Sequence, residues 1–143
     1  GDFEMGFCLM LPTIAEIRNT KTALDIVSKV RKYLSVEKHW VQGPMAVNKA
    51  GEEVYVDDDS AVCHCLFGAA YKFSGDDFGP SFSTVRRAIV GGAGQVAKFN
   101  VCGSMAHFND HEFTTHADVK AALKIAEKTL QDDVKAHEVL ATT

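Results

Sequence analysis

Long apolar runs are missing from this chain. No stretch approaches the 18 or more consecutive apolar residues that a membrane span needs. The most apolar early segment, Met5 to Ile14, is interrupted by Pro12 and preceded by no basic n-region, so it reads as neither signal peptide nor anchor. No membrane is expected as a partner. Internal repeats and low-complexity linkers are also lacking. Four cysteines in 143 residues are too few for a disulfide scaffold. With no export signal they read as reduced thiols in a cytoplasmic protein. Eleven glycines without a three-residue period exclude collagen, and 46% hydrophobic content excludes a disordered chain. Positive charge is in deficit as well, with 15 Lys and Arg against 19 Asp and Glu. A nucleic-acid binder usually carries a basic face, so the net charge of −4 points away from nucleic acid. The sequence identifies no partner, and a protein partner or a second copy of the chain stays open. One local excess of positive charge stands in residues 12–38, at Arg18, Lys21, Lys29, Arg31, Lys32 and Lys38, and reads as a solvated helix face.

What is present suits one domain, since domains typically run to about 100–150 residues. Residues 1–12 read as a tail or irregular segment, 13–131 as the core, and 132–143 as a helix extension or tail. Thr13-x-x-Glu16 has capping-box spacing and predicts a short helical turn. A helix follows over about Lys21 to Leu34, with Ala23, Ile26, Val27, Val30, Tyr33 and Leu34 at 3–4 spacing. From Trp40 to Val47 the period changes to alternation, Asn48 to Gly51 supplies turn residues, and Glu53 to Val56 alternates again. That pattern predicts a β-hairpin, with Pro44 keeping its first strand at an edge. The nearly all-apolar stretch from Ala61 to Phe73 predicts a central helix capped by Asp59 or Ser60 and ended by Gly75. A further helix covers Ser83 to Val90, and Gly91 to Gly94 reads as a flexible turn. The last helix starts at Thr115, whose spacing to Asp118 resembles a capping box, and Val119, Ala122, Leu123, Ala126 and Leu130 form its stripe. The acidic pairs and triplets at Asp57 to Asp59, Asp76 and Asp77, and Asp132 and Asp133 read as helix-end or turn residues. The fold class is therefore α+β, α-rich, with about four helices packed around a small β-hairpin.

Three motifs stand in order along the chain: Trp40-Val41-Gln42-Gly43, then Cys65-Leu66-Phe67-Gly68-Ala69, then Phe108-Asn109-Asp110 before the last helix. This order resembles a family of small uncharacterised bacterial and phage proteins, a domain of unknown function. The resemblance covers roughly residues 22–74 and 104–130, and it implies a shared fold without an activity. Matched positions are Trp40, Gln42, Gly43, Cys65, Gly68, Ala69, Asn109 and Asp110. The chain departs from the pattern in three places. His64 stands where a larger aromatic or basic residue is expected, Phe108 replaces the usual Trp, and His111-Glu112-Phe113 replaces a Gly- and Pro-containing loop.

Several constellations invite chemistry. His107, His111 and His116, with Asp110 and Glu112 nearby, form the densest set of metal-ligand types, and imidazoles four apart share a helix face. Surface or capping roles are the default for them, and no cofactor is expected. Cys63 and Cys65 suggest a thiol nucleophile paired with a downstream histidine. On a helix, however, residues two apart point to nearly opposite sides, and Asp57 to Asp59 oppose a thiolate. Gly92-x-Gly94-x-x-Ala97 mimics a dinucleotide fingerprint, but no clear parallel strand follows it. Trp40, Gln42, Asn109 and Asp110 are the polar set to watch, either as structural hydrogen bonds pinning the hairpin to the loop before the last helix or as a small ligand site. Two functions follow. The first is a non-enzymatic accessory or interaction protein. The second is a small thiol- or metal-dependent hydrolase or ligand-binding protein using Cys65 or Cys63, a histidine, and Asn109 with Asp110.

Overall fold

The computed structural model describes residues 11–75 and 79–142. Helix α1 runs Ile14–Leu34, strand β1 Ala46–Asn48, strand β2 Ala61–His64, and helix α2 Leu66–Ser74. Helices α3 (Pro80–Val96), α4 (Met105–Asp110) and α5 (His116–Thr142) complete the described elements. The α-rich α+β class is as the sequence predicts: five helices and one two-stranded antiparallel sheet among the described residues. The tail expected over 1–12 lies mostly outside the described residues, as do Asp76 and Asp77.

The Thr13 box does not make a separate turn; it caps one continuous helix. Thr13 Oγ1 accepts from Glu16 N at 3.0 Å, and Glu16 Oε1 accepts from Thr13 N at 2.9 Å. Two N-terminal donors are thereby satisfied, and α1 extends unbroken to Leu34. The second box also forms, with Thr115 Oγ1 accepting from Asp118 N at 3.2 Å and Asp118 Oδ2 from Thr115 N at 3.0 Å. From there α5 runs through the residues expected as an extension or tail.

Three expectations need correction. Residues 61–64 are strand, not the first turn of a helix, and the helix cap is Cys65 rather than Asp59 or Ser60. Asp58 instead accepts from both the N–H and the hydroxyl of Ser60, making a local turn. The Asn48–Gly51 turn does form, with Gly51 N–H donating to Asn48 O at 3.0 Å and Gly51 at φ +84°. Beyond it, Glu53 makes only a single bridge to Val47. The true strand partner of β1 is β2, with Ala46 opposite His64 and Val47 opposite Cys63. Finally, Gly91 to Gly94 are helical, because α3 continues through them to Val96. Gly92 lies where any Cβ would overlap the Ala122 carbonyl of α5, so tertiary packing explains that glycine.

The core is built from the predicted stripes. Ala23, Val27, Val30 and Leu34 of α1, Val85, Ile89 and Ala93 of α3, and Val119, Ala122, Leu123 and Ala126 of α5 are fully buried and pack together. Leu66, Ala69 and Ala70 of α2 and Phe108 of α4 close one end of that core. Burial of apolar area at about 25 cal/mol per Å² is the main force holding the three long helices together.

Candidate functional site

All three motifs meet at one point, the side chain of Asn109. It is completely buried at the end of α4. Its Oδ1 accepts from the Trp40 indole Nε1 at 2.7 Å and from the backbone N–H of Leu66, in the first turn of α2, at 3.0 Å. Its Nδ2 donates to Val41 O at 3.1 Å and to Asp110 Oδ1 at 2.8 Å. A primary amide offers two lone pairs and two N–H donors, and here all four are used.

The neighbouring motif residues complete the clamp. Gln42 Nε2 donates to Asn109 O and His111 O, both at 3.0 Å, satisfying carbonyls at the end of α4 that have no helical partner. Gly43 sits at φ +98°, and its N–H donates to Asp110 Oδ1 at 2.8 Å. A left-handed residue there points the amide at the carboxylate, which accounts for the glycine. Thr114 Oγ1 donates to Phe108 O at 2.6 Å, holding the chain as it leaves α4.

The Cys-x-x-Gly-Ala motif has an equally local cause. Cys65 is the N-cap of α2, and its Sγ accepts from Gly68 N at 3.2 Å. Cys65 N–H donates in turn to Met45 O at 3.2 Å. That same carbonyl lies so close to Gly68 that a Cβ would overlap it, so only glycine allows α2 to approach residue 45. Ala69 is fully buried in the core.

This geometry sets the thiol chemistry. Cys65 is buried, and desolvation pushes its thiol above the ordinary value of 9.0. Hydrogen bonds from backbone amides at the start of α2 pull the other way and do not prevail. The opposing carboxylate is Asp110, not Asp57 to Asp59 as the sequence suggests. Burial also raises the Cys63 thiol, which lies on β2 against Val47 O at 4.0 Å. Cys63, Cys65 and Cys102 are all free thiols.

The three histidines each have their own backbone partner. His116 Nε2 donates to Leu34 O at 2.6 Å and so caps the C-terminal end of α1. His107 Nδ1 donates to Val101 O at 2.8 Å, while His111 Nδ1 accepts from Phe113 N at 3.1 Å. The His107 and His111 rings are neighbours at 5.8 Å, and His111 stacks on Phe99 at 3.6 Å. Among the described residues no group of three or more His, Cys, Asp or Glu side chains is arranged to hold a metal ion.

One polar centre has no forerunner in the sequence. His64 is 1% exposed, with Nε2 at 2.7 Å from Val56 O and Nδ1 at 2.8 Å from the Tyr33 hydroxyl. A carbonyl can only accept, so Nε2 carries the proton and Nδ1 takes the tyrosine O–H. Burial, opposed by the Val56 bond, lowers the His64 pKa below 6.5 and keeps the ring neutral. Tyr33 also stacks on His39, 4.5 Å between centroids. No spacing rule reveals a contact of this kind, because its partners lie on different elements.

No curated protein and no solved structure matches the chain. A family model described as a family of unknown function (DUF6197) matches residues 18–129, running through 75–103, which the motif pattern does not reach. The motifs that meet at Asn109 all fall inside that match, and the chain belongs to this family of unknown function.

Proposed function

We propose that the chain is a non-enzymatic accessory or interaction domain of bacterial or phage origin, acting in the cytoplasm, whose motif residues hold its fold. The observation that carries this reading is the saturated amide of Asn109. A catalytic or ligand-binding amide keeps a donor or acceptor free for its substrate, and this one has none left. Gln42 likewise spends both amide N–H groups on backbone carbonyls. A thiol hydrolase would need an accessible thiolate beside a base. Cys65 is buried, its thiol is held protonated, and its sulfur caps a helix. The free thiols of Cys63, Cys65 and Cys102 suit a reducing compartment.

Native-state alkylation followed by peptide mass spectrometry tests the reading. Exposed Cys102 should react first and Cys65 last, with Cys65 labelling only as the protein unfolds. Rapid labelling of Cys65 below pH 7 would instead establish an activated nucleophile. Elemental analysis of the purified protein gives a second check, since stoichiometric zinc, iron or manganese would overturn the non-enzymatic reading.

A further inference from the structure

The positive charge of α1 does not stay a featureless solvated face. Lys21 pairs with Glu138 at 3.3 Å and Lys29 with Asp25 at 3.0 Å, and on α5 Lys128 pairs with Asp132. Lys120 and Lys124 are different: both are exposed, and neither has a carboxylate partner among the described residues. They stand one helical turn apart on α5 and line a cleft of about 300 Å³ with Arg31 and Ser35 from the C-terminal end of α1. Ala117 and Ala121 complete the lining, and no acidic residue contributes to it.

Arg31 is ion-paired to α5. Its Nε lies 2.8 Å from Glu127 Oε1, and the other carboxylate oxygen of Glu127 accepts from Ser28 Oγ at 2.7 Å. Glu127 therefore pairs with the guanidinium on its Nε side. That contact is an ion pair without hydrogen-bond geometry at Nε, and among the described residues Glu127 is the one carboxylate paired with the guanidinium. Three cations against the single carboxylate of Glu127 leave an excess of two positive charges. A guanidinium fork with two flexible ammonium groups matches a tetrahedral dianion in both charge and shape. The positive end of the α5 dipole near Ala117 is opposed by the negative end of the α1 dipole near Ser35, so the three cationic side chains carry the attraction.

From this we infer that the cleft binds a dianionic phosphate group, either free or as a monoester on a small molecule. The inference is independent of the Asn109 clamp, which lies on other elements. For a solvent-open cleft of this kind the expected dissociation constant is on the order of 1 mM. The test is a titration of the full chain with inorganic phosphate, glycerol 3-phosphate and a single-stranded oligonucleotide, read by amide chemical shifts. Either phosphate should give saturable shifts centred on Ser35, Ala117 and Ala121. Equal affinity for the two would assign the site to free phosphate, and tighter glycerol 3-phosphate binding to a monoester. The double variant Lys120→Ala/Lys124→Ala should weaken binding at least tenfold, whereas Lys128→Ala, outside the cleft, should leave it unchanged. Non-saturating shifts at about 10 mM, or equal binding by the double variant, would overturn the inference. So would oligonucleotide shifts that spread along α1 and collapse with salt, which would assign the charge to a nucleic-acid backbone instead.

Discussion

The indole N–H of Trp40 donates to Asn109 Oδ1 at 2.7 Å, joining segments 69 residues apart in the chain. The same oxygen also takes the Leu66 amide at the start of α2, so one atom ties the loop after α1 to two helix ends. Replacing Asn109 by Ala should leave the Trp40 indole N–H, the Leu66 amide N–H and the Val41 carbonyl without this partner. At about 1–3 kcal/mol for each orphaned group, the expected loss is roughly 3–5 kcal/mol, read by denaturant unfolding. Asn109→Asp keeps the acceptor but turns a second oxygen toward Val41 O and Asp110 Oδ1. It should therefore be no better than alanine at neutral pH and should recover in part in acid, when the carboxyl can donate. Equal stability of Asn109→Asp and the parent at pH 7 would argue against the assigned bonds.

The glycines within helices separate into two classes with opposite expected signs. At Gly68 and Gly92 a methyl group would overlap the backbone carbonyls of Met45 and Ala122. Substitution by Ala there should cost at least about 2–3 kcal/mol, as overpacking against backbone does. Gly91 and Gly94 lie in the same helix as Gly92, yet have nothing within 4 Å of a Cβ. Alanine at either should stabilise by roughly 0.5–1 kcal/mol, since it removes unfolded-state entropy. Thermal midpoints of the four variants decide the matter.

His64 gives the stability an acid limb. Its folded-state pKa lies below 6.5, so the unfolded chain binds the extra proton more readily. The stability it supports is complete above about pH 6.5 and falls as the pH drops from there toward the lowered folded-state value. A series of melts from pH 8 to 5 should show this loss, and His64→Gln, which can still donate to Val56 O, should flatten it. An unchanged slope in that variant would place the titrating group elsewhere.

Much of the helical framework could be read from local signals. The two capping boxes and the stripes of α1 and α5 depend on residues three and four apart, and these form as spaced. Residues 61–64 could not be read in the same way. Ala-Val-Cys-His carries no decisive period, and it is strand only because Ala46–Asn48 lies beside it. Helical Gly91 to Gly94 contradicts their propensity because α5 must come close at Ala122. Helix α4, Met105–Asp110, spans six residues and is too short for a periodic signature.

The site was legible in its members more than in its geometry. The motif pattern singled out Trp40, Gln42, Asn109 and Asp110, and the structure brings all four together. It did not indicate that Asn109 would be saturated, because that depends on a backbone amide of α2 and a carbonyl of the Trp40 loop arriving at one point. His107, His111 and His116 have metal-ligand spacing on paper, but the third turns away to cap α1. Lys120 and Lys124 show their shared face in the sequence; their meeting with Arg31 is a product of tertiary packing.

Trp40 is the sole tryptophan of the chain, so its indole N–H gives a single resolved resonance that reports directly on the clamp. Hydrogen exchange of that proton tests the structural role of the motif more directly than any activity assay. If the clamp is structural, the indole proton exchanges only through global unfolding, with a protection free energy matching the denaturant-derived stability, and Asn109→Ala abolishes that protection. Exchange at the rate of a solvent-open indole in the parent protein would contradict the account, because it would mean that Trp40 and Asn109 are free to receive a ligand.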